Sequence, residues 1–266
     1  MPLIEPKLEI AKGNYTNHSH VYKTGRNTSI STTNETVWNQ SGTYPNIGGT
    51  ALVLFVSSSA NQDTLTGPDT VGARTLTIVG LDGSYNEITE TVTLNGTSSV
   101  LTTNSFLAVN DAFVATGGSA EQSGSISITL SGSVATPGTF LGTIDSEYKR
   151  LTQAHYTVPL GHTAYLQSIK YGISPLVDVA SSAISASFLI YQKPSGSVYR
   201  CESIHNVSGN GIVSHYDSAI SFDEKTEIDI RVNGDIGSDA SAEFSLILVS
   251  SSNVPVEGIT YQGFVL

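Results

Sequence analysis

Metal or acid–base chemistry in this chain would have to come from six histidines, one cysteine and 23 acidic residues, and their spacing limits what they can do. His18 and His20 form the one close histidine pair. On a strand, residues i and i+2 share a face, as a metal site could use, yet no third ligand stands nearby and the pair reads as polar residues of a terminal segment. Glycoside hydrolysis needs two carboxylates facing each other at roughly 5 to 10 Å. Glu87 and Glu90 are the nearest such pair, and three positions apart on a strand they point to opposite faces. Asp223, Glu224, Glu227 and Asp229 make the densest acidic patch, the kind of oxygen cluster calcium takes. Lys225 sits inside it, so the patch reads as a charged strand edge that discourages stray pairing. Cys201 has no partner cysteine, and Val198, Tyr199 and Arg200 before it place it in a strand as an inert sheet residue. Sugar binding on exposed aromatics remains open with 12 tyrosines, but Trp38 lies in a strand motif and reads as a core or interface residue. Arg74 and Arg150 are candidates for ion pairs at a domain or subunit contact. No G-x-S-x-G, H-E-x-x-H or Walker-type loop is found. The expectation is a protein that is not an enzyme and takes no metal and no cofactor.

The elements that hold these residues are strands. Residues 72–96, GARTLTIVGLDGSYNEITETVTLNG, alternate apolar and polar positions on both sides of Asp82-Gly83, with Leu76, Ile78 and Leu81 facing Ile88, Val92 and Leu94. That pattern predicts a half-buried hairpin with a threonine-rich solvent face, turning at the Asp-Gly pair. Only 13% of residues are charged and 8% aromatic, and no helical period extends beyond about two turns. The formal charge of −11 opposes approach to a nucleic-acid backbone. No run reaches the roughly 18 apolar residues of a membrane span, and the first residues lack a signal-peptide pattern. Neither nucleic acid nor membrane is an expected partner.

At 266 residues two cores can form, and the expected class is all-β, with two antiparallel β-sandwich domains. Residues 1–26, without a clear period, predict an extended N-terminal arm. Residues 27–147 predict an immunoglobulin-like or similar sandwich, built from strands near 30–38, 51–57, the hairpin, 100–113 and 125–130. The Ser/Gly/Thr/Pro-rich stretch 131–147 marks the boundary. Eight segments in 148–252 predict a jelly-roll-like domain: 154–158, 163–172, 186–192, 198–204, 212–216, 220–222, 227–232 and 242–249. In the second of these, Thr163, Tyr165, Gln167, Ile169 and Tyr171 are expected on one face. The nearly continuous apolar run 244–249 reads as a central strand buried on both sides. Residues 253–266 read as a second arm. The expected assembly contacts are Leu3, Ile4, Leu8 and Ile10 at one end and Tyr261, Phe264 and Leu266 at the other.

Several strand and turn motifs resemble those of a known family. Glu35-Thr36-Val37-Trp38-Asn39, Gly72-Ala73-Arg74-Thr75, Gly80-Leu81-Asp82, Tyr85-Asn86-Glu87-Ile88 and Glu90-Thr91-Val92-Thr93-Leu94-Asn95-Gly96 resemble a family of virion structural proteins of tailed bacteriophages of aquatic bacteria. Tyr156-Thr157-Val158-Pro159, Gly161-His162-Thr163-Ala164-Tyr165-Leu166 and Phe244-Ser245-Leu246-Ile247 extend the resemblance over most of residues 35–250. It marks relatives and fold, and no active site. It implies a capsid decoration or cement protein on the head surface of a virion, made in the host cytoplasm, acting as a homotrimer on the major capsid protein. The alternatives are a tail, adaptor or fibre protein that recognises a glycan or host, and a carbohydrate-binding module.

Overall fold

Alternation becomes strand through most of the chain, but the strands are shared between the two bodies in an order that no local pattern announces. The computed structural model describes residues 6–45, 49–67, 70–131, 140–175, 184–208 and 212–251. A short helix α1 (Pro6–Ala11) precedes β1 (His18–Asn27) and β2 (Glu35–Thr36). Then come β3 (Leu52–Ser58), β4 (Ala73–Leu81), β5 (Glu87–Thr93), β6 (Val100–Phe106), β7 (Ala108–Gly117), β8 (Ile126–Thr129) and β9 (Phe140–Ile144). The last group is β10 (His155–Thr157), β11 (His162–Pro175), β12 (Ser185–Lys193), β13 (Arg200–Ser208), β14 (Ile212–Phe222), β15 (Glu227–Gly234) and β16 (Ser238–Ser250). Every named pairing is antiparallel. The all-β sandwich expectation holds.

One body is an eight-stranded jelly roll. Its sheets run β1-β16-β11-β14 and β10-β15-β12-β13, with β2 added beside β15. Counted along the roll, these are strands 1-8-3-6 and 2-7-4-5, the double Greek-key wiring of that fold. Phe188, Phe222, Phe244, Leu246, Ile228 and Ile230 fill its core at 0 to 1% exposure. Burying each such side chain is worth about 2 kcal/mol.

The other body is an insertion between the first and second strands of the roll. Its seven strands form the sheets β6-β3-β8-β9 and β5-β4-β7 around Leu54, Leu76, Ile78, Phe106, Ile126 and Leu141. An immunoglobulin domain sets its first strand beside its second. Here the first strand, β3, lies between β6 and β8, so the body is a related antiparallel sandwich with its own wiring.

Three expectations about the chain ends and boundary change accordingly. The described residues 6–26 are not an extended arm: α1 forms there, and β1 pairs along its whole length with β16 as the first strand of the roll. Its alternation is hard to see because Lys23 and Asn27 occupy buried positions normally apolar. The eight expected segments of the second half are seven strands, since 212–216 and 220–222 belong to one strand, β14, and β1 supplies the eighth. The stretch 131–147 contains β9 of the inserted sandwich, and the chain passes between bodies near residues 37–38 and 152–154. Leu151 and Trp38 lie in the inserted core, Val37 and Ala154 in that of the roll. The expected arm at 253–266 lies outside the described residues.

The two stems of the insertion are locked together against β15. Val37 N donates to Ile230 O at 2.9 Å, Ala154 N to Val37 O at 2.9 Å, and Ile230 N to Ala154 O at 2.9 Å. They cross β1 at Gly25, where a Cβ would stand 2.1 Å from Val37 O and 2.5 Å from Ala154 N. Further ties join the bodies. The Asn110 side chain of β7 exchanges two hydrogen bonds with the backbone of Thr157 at 2.8 and 2.9 Å, and Gln153 Nε2 donates to Val109 O at 2.9 Å. Lys23 Nζ donates to Asn110 O, and burial pushes that ammonium down to about 8.

Two strands depart from strict alternation for a stated reason. In β11, a bulge between Leu166 and Ser168 adds one residue, so Ala164 and Leu166 face the core, and then Ile169, Tyr171 and Ile173 do. The expected single face of Thr163 to Tyr171 is broken there. In β7 the extra residue is Asn110, skipped where Val79 pairs with Asp111 and Gly80 with Val109; β4 keeps its register with β5, so Leu81 is buried on the face opposite Leu76 and Ile78.

Candidate functional site

The outer face of β15 carries Glu227, Asp229 and Arg231, spaced by two so that all three project to one side. That face is covered. The entry stem of the insertion, from Asn34 to Tyr44, lies over it and β2 pairs with it, so Asp229 is buried and Glu227 and Arg231 are partly buried in a polar network instead of lining an edge. Asp229, fully buried, accepts from Thr36 Oγ1 at 2.9 Å and Arg231 Nε at 2.6 Å. The guanidinium of Arg231 sits between two rings, 4.5 Å from Tyr191 and 4.4 Å from Tyr199, a doubled cation–π contact. Glu227 accepts from Lys193 Nζ at 2.9 Å and the Tyr199 hydroxyl at 2.5 Å. Burial works against ionising Glu227, and the nearby His155, Tyr199 and Lys193 overcome it, holding the carboxyl down at about 2. Burial, with Glu227 and Asp229 beside it, pushes the Tyr199 hydroxyl far up, so it stays a donor.

Next to this network the bodies meet at a cleft of about 430 Å³, within the roughly 300 to 1,000 Å³ typical of ligand sites. Its walls are Tyr44 of the entry stem, Tyr85 in the β4–β5 turn, Leu107 and Ala108 between β6 and β7, His155 and Thr157 of β10, and the β12–β13 turn with Lys193 and Ser195–Ser197. Tyr44 stacks on His155 with ring centres 4.0 Å apart and leans on Trp38 at 5.4 Å. Tyr44 N donates to Thr36 Oγ1 at 2.8 Å, which ties the cleft wall to the network. His155 is 1% exposed, and neither ring nitrogen has a hydrogen-bond partner. Its Nε2 lies 4.0 Å from Glu227 Oε2, beyond hydrogen-bond reach. The Tyr44 hydroxyl is likewise buried, pointing toward the Val109 backbone and Gln153.

Tyr85 owes its place to the hairpin turn. Asp82 accepts from Ser84 N at 2.8 Å and from Asn86 N at 2.9 Å, so its carboxylate shapes the loop. Tyr85 takes the left-handed conformation at φ 66°, and Gly83 does not, contrary to the expected Asp-Gly turn.

The other residues singled out by sequence are dispersed. His18 and His20 lie on β1, where His18 Nδ1 pairs with Thr16 O at 3.1 Å and His20 Nε2 with Ser245 Oγ at 2.9 Å. Among the described residues no group of three or more His, Cys, Asp or Glu is placed to hold a metal ion. Glu90 accepts from Thr103 N at 2.6 Å and Asn104 N at 2.8 Å, fastening β5 to β6, while Glu87 lines a separate small cleft. Of the acidic patch, Glu224 accepts from Gly161 N at 2.7 Å, and Glu227 and Asp229 enter the network above. The edge reading fails because β15 has partners on both sides. Cys201 is exposed on β13, Arg150 pairs with Asp111 at 2.5 Å, and Arg74 Nη2 reaches Thr70 O at 3.4 Å. Trp38 is a core residue whose Nε1 donates to Gly42 O at 3.0 Å. Of the expected assembly contacts, Leu8 is exposed on α1 and Ile10 is buried; Leu3, Ile4, Tyr261, Phe264 and Leu266 lie outside the described residues.

His155, Tyr44, Lys193 and Arg231 were not legible as a group. The one available signal was Glu227-x-Asp229-x-Arg231 with isoleucines between, three charges on one face of a strand whose other face is core.

No protein-family profile and no curated protein matches the chain. Among solved structures, particles of infectious bursal disease virus align. The Gx-strain structure is 11% identical over 90% of this chain and 74% of that one, with a TM-score of 0.24. The Gt strain gives 12% over the same shares with a TM-score of 0.20. Likenesses this distant assign no function.

Proposed function

We propose that this chain is a structural protein of a tailed-phage virion, a decoration or cement protein that binds the major capsid protein on the head surface as a trimer and works without metal, cofactor or catalysis. The observation that carries the reading is the jelly roll with a second complete sandwich between its first two strands. Jelly rolls build viral capsid and lectin domains. Here both stems of the insertion are tied to β15, so the inserted body is anchored at two points and can be presented by the roll as a rigid unit. The strand and turn motifs that resemble those of phage virion proteins lie in both bodies.

A tail, adaptor or fibre role with glycan recognition is the second reading, favoured by the cleft at the junction of the two bodies. Quantitative mass spectrometry of purified particles decides between them. Hundreds of copies per particle are expected of a decoration protein, and a handful confined to the tail moves the assignment to the second reading. Absence from the particle overturns both.

A further inference from the structure

We propose that the outer face of the sheet β6-β3-β8-β9 is the surface through which one copy of this chain binds another. The register sets three apolar side chains in one row across that sheet. Phe55 of β3 stands opposite Leu101 of β6 on one side and Thr129 of β8 on the other, and Thr129 stands opposite Phe140 of β9. Val53, two residues before Phe55, projects the same way. Leu54 and Val56 between and beyond them fill the core, so the row points outward, where Leu101 is 55% and Val53 39% exposed. Scattered apolar residues on a surface are ordinary, but a contiguous row on one face marks an interaction surface. The opposite outer face of the same sandwich shows what this chain turns toward water: Thr75, Thr77, Thr89, Thr91 and Thr93, with the hydroxyls of Thr77 and Thr91 bonded at 2.8 Å. Charge selects the partner. The chain carries −11, so copies repel wherever their acidic side chains meet. The strands β3, β6, β8 and β9 contain no charged residue at all. A second copy can lie on this face without bringing carboxylates together. The edge of the sheet is closed to an added strand, because Glu90 occupies the backbone donors Thr103 N at 2.6 Å and Asn104 N at 2.8 Å. The inference rests on the homo-oligomer part of the function proposed above and on nothing about the virion.

The test measures the mass of the full chain by sedimentation equilibrium from micromolar to millimolar concentration. Self-association is expected, and it should tighten as sodium chloride is raised from about 50 to about 500 mM, because salt screens the repulsion between acidic copies and leaves apolar contact intact. Leu101→Glu should weaken the association about tenfold or more, while Thr91→Glu, on the threonine face, should leave it unchanged. Hydroxyl-radical footprinting of the unmodified chain gives a reading that needs no variant. Leu101 and Val53 should be protected at high concentration and Phe113 of β7, 36% exposed, should not. The proposal is overturned if the chain stays monomeric at millimolar concentration, if added salt dissociates the assembly, if Leu101→Glu associates as tightly as the unmodified chain, or if Leu101 and Val53 stay unprotected in the assembly. A monomer also refutes the homo-oligomer reading, whereas an assembly indifferent to Leu101→Glu refutes this surface alone. Copy number in the particle has no bearing on either outcome.

Discussion

The outer faces of β15 and β16 differ far more than their inner faces do. Each strand is interior to one sheet of the roll, and Ile228, Ile230 and Val232 meet Phe244, Leu246 and Leu248 in one core at 0 to 3% exposure. Outward, β16 presents Glu243, Ser245, Ile247 and Val249, all half-buried, with α1 nearby. β15 presents Glu227, Asp229 and Arg231 beneath the stem of the insertion. The inner faces answer to hydrophobicity alone. The outer faces answer to what covers them, and a cover that comes from distant sequence permits buried charges if every one is partnered.

The inner rule is broken most severely at Leu246. An aspartate there is an unpaired charge in a sealed core, and Leu246→Asp should abolish the folded roll, seen as loss of the sheet signal in circular dichroism. Retention of a cooperative melt would mean that the core is not sealed. The outer rule is broken next at Asp229. Asp229→Ala leaves Arg231 buried without its carboxylate, and a loss of about 3 to 5 kcal/mol in urea unfolding is expected. A double-mutant cycle with Arg231→Met should recover much of that loss, because the pair is then replaced by apolar contact with Tyr191 and Tyr199. Simple additivity of the two changes would show that the carboxylate and guanidinium act independently.

Glu227 gives a smaller effect with a pH signature. Its folded carboxyl is held at about 2 against an ordinary value of 4.5, so its stabilisation is fully present above about pH 4.5 and is lost as pH falls toward 2. The lost contribution is about 2 to 3 kcal/mol. Glu227→Gln should therefore be less stable than the unmodified chain at pH 7, and the difference should close by pH 2. A constant gap between pH 7 and pH 2 would show that the carboxylate charge is not what the network holds.

How much of this could be read beforehand follows from the range of the interactions. The hairpin of β4 and β5 was legible because its pattern is local: Leu76, Ile78 and Val92 alternate within reach of one turn. The apolar faces of β11 and β16 were legible as strands, but the bulge at Gln167 was not, since one extra residue leaves composition unchanged and flips every side chain after it. The wiring was hidden because β1 pairs with β16 from the opposite end of the chain, and nothing in residues 18–27 says which partner they take. The cleft was hidden for the same reason. Tyr44 and His155 belong to the two stems of the insertion and stack only because Val37 and Ala154 are bonded to each other and to β15.

The smallest expected effect sharpens the comparison from the side of β16. Ile247 follows Leu246 and is as apolar, so the run 244–249 reads as if both were buried, and an aspartate at either would seem equally damaging. The pleat places Ile247 on the outer face, half-exposed, where it lines a shallow groove with Leu8 and Ala11 of α1. An aspartate there keeps much of its hydration and loses mainly the contact with the helix. Ile247→Asp should cost about 1 kcal/mol and leave the roll folded, with faster amide exchange confined to residues 6–11. If Ile247→Asp instead unfolds the roll as Leu246→Asp does, the outer face of β16 is as sealed as that of β15, and the contrast between the two strands does not hold.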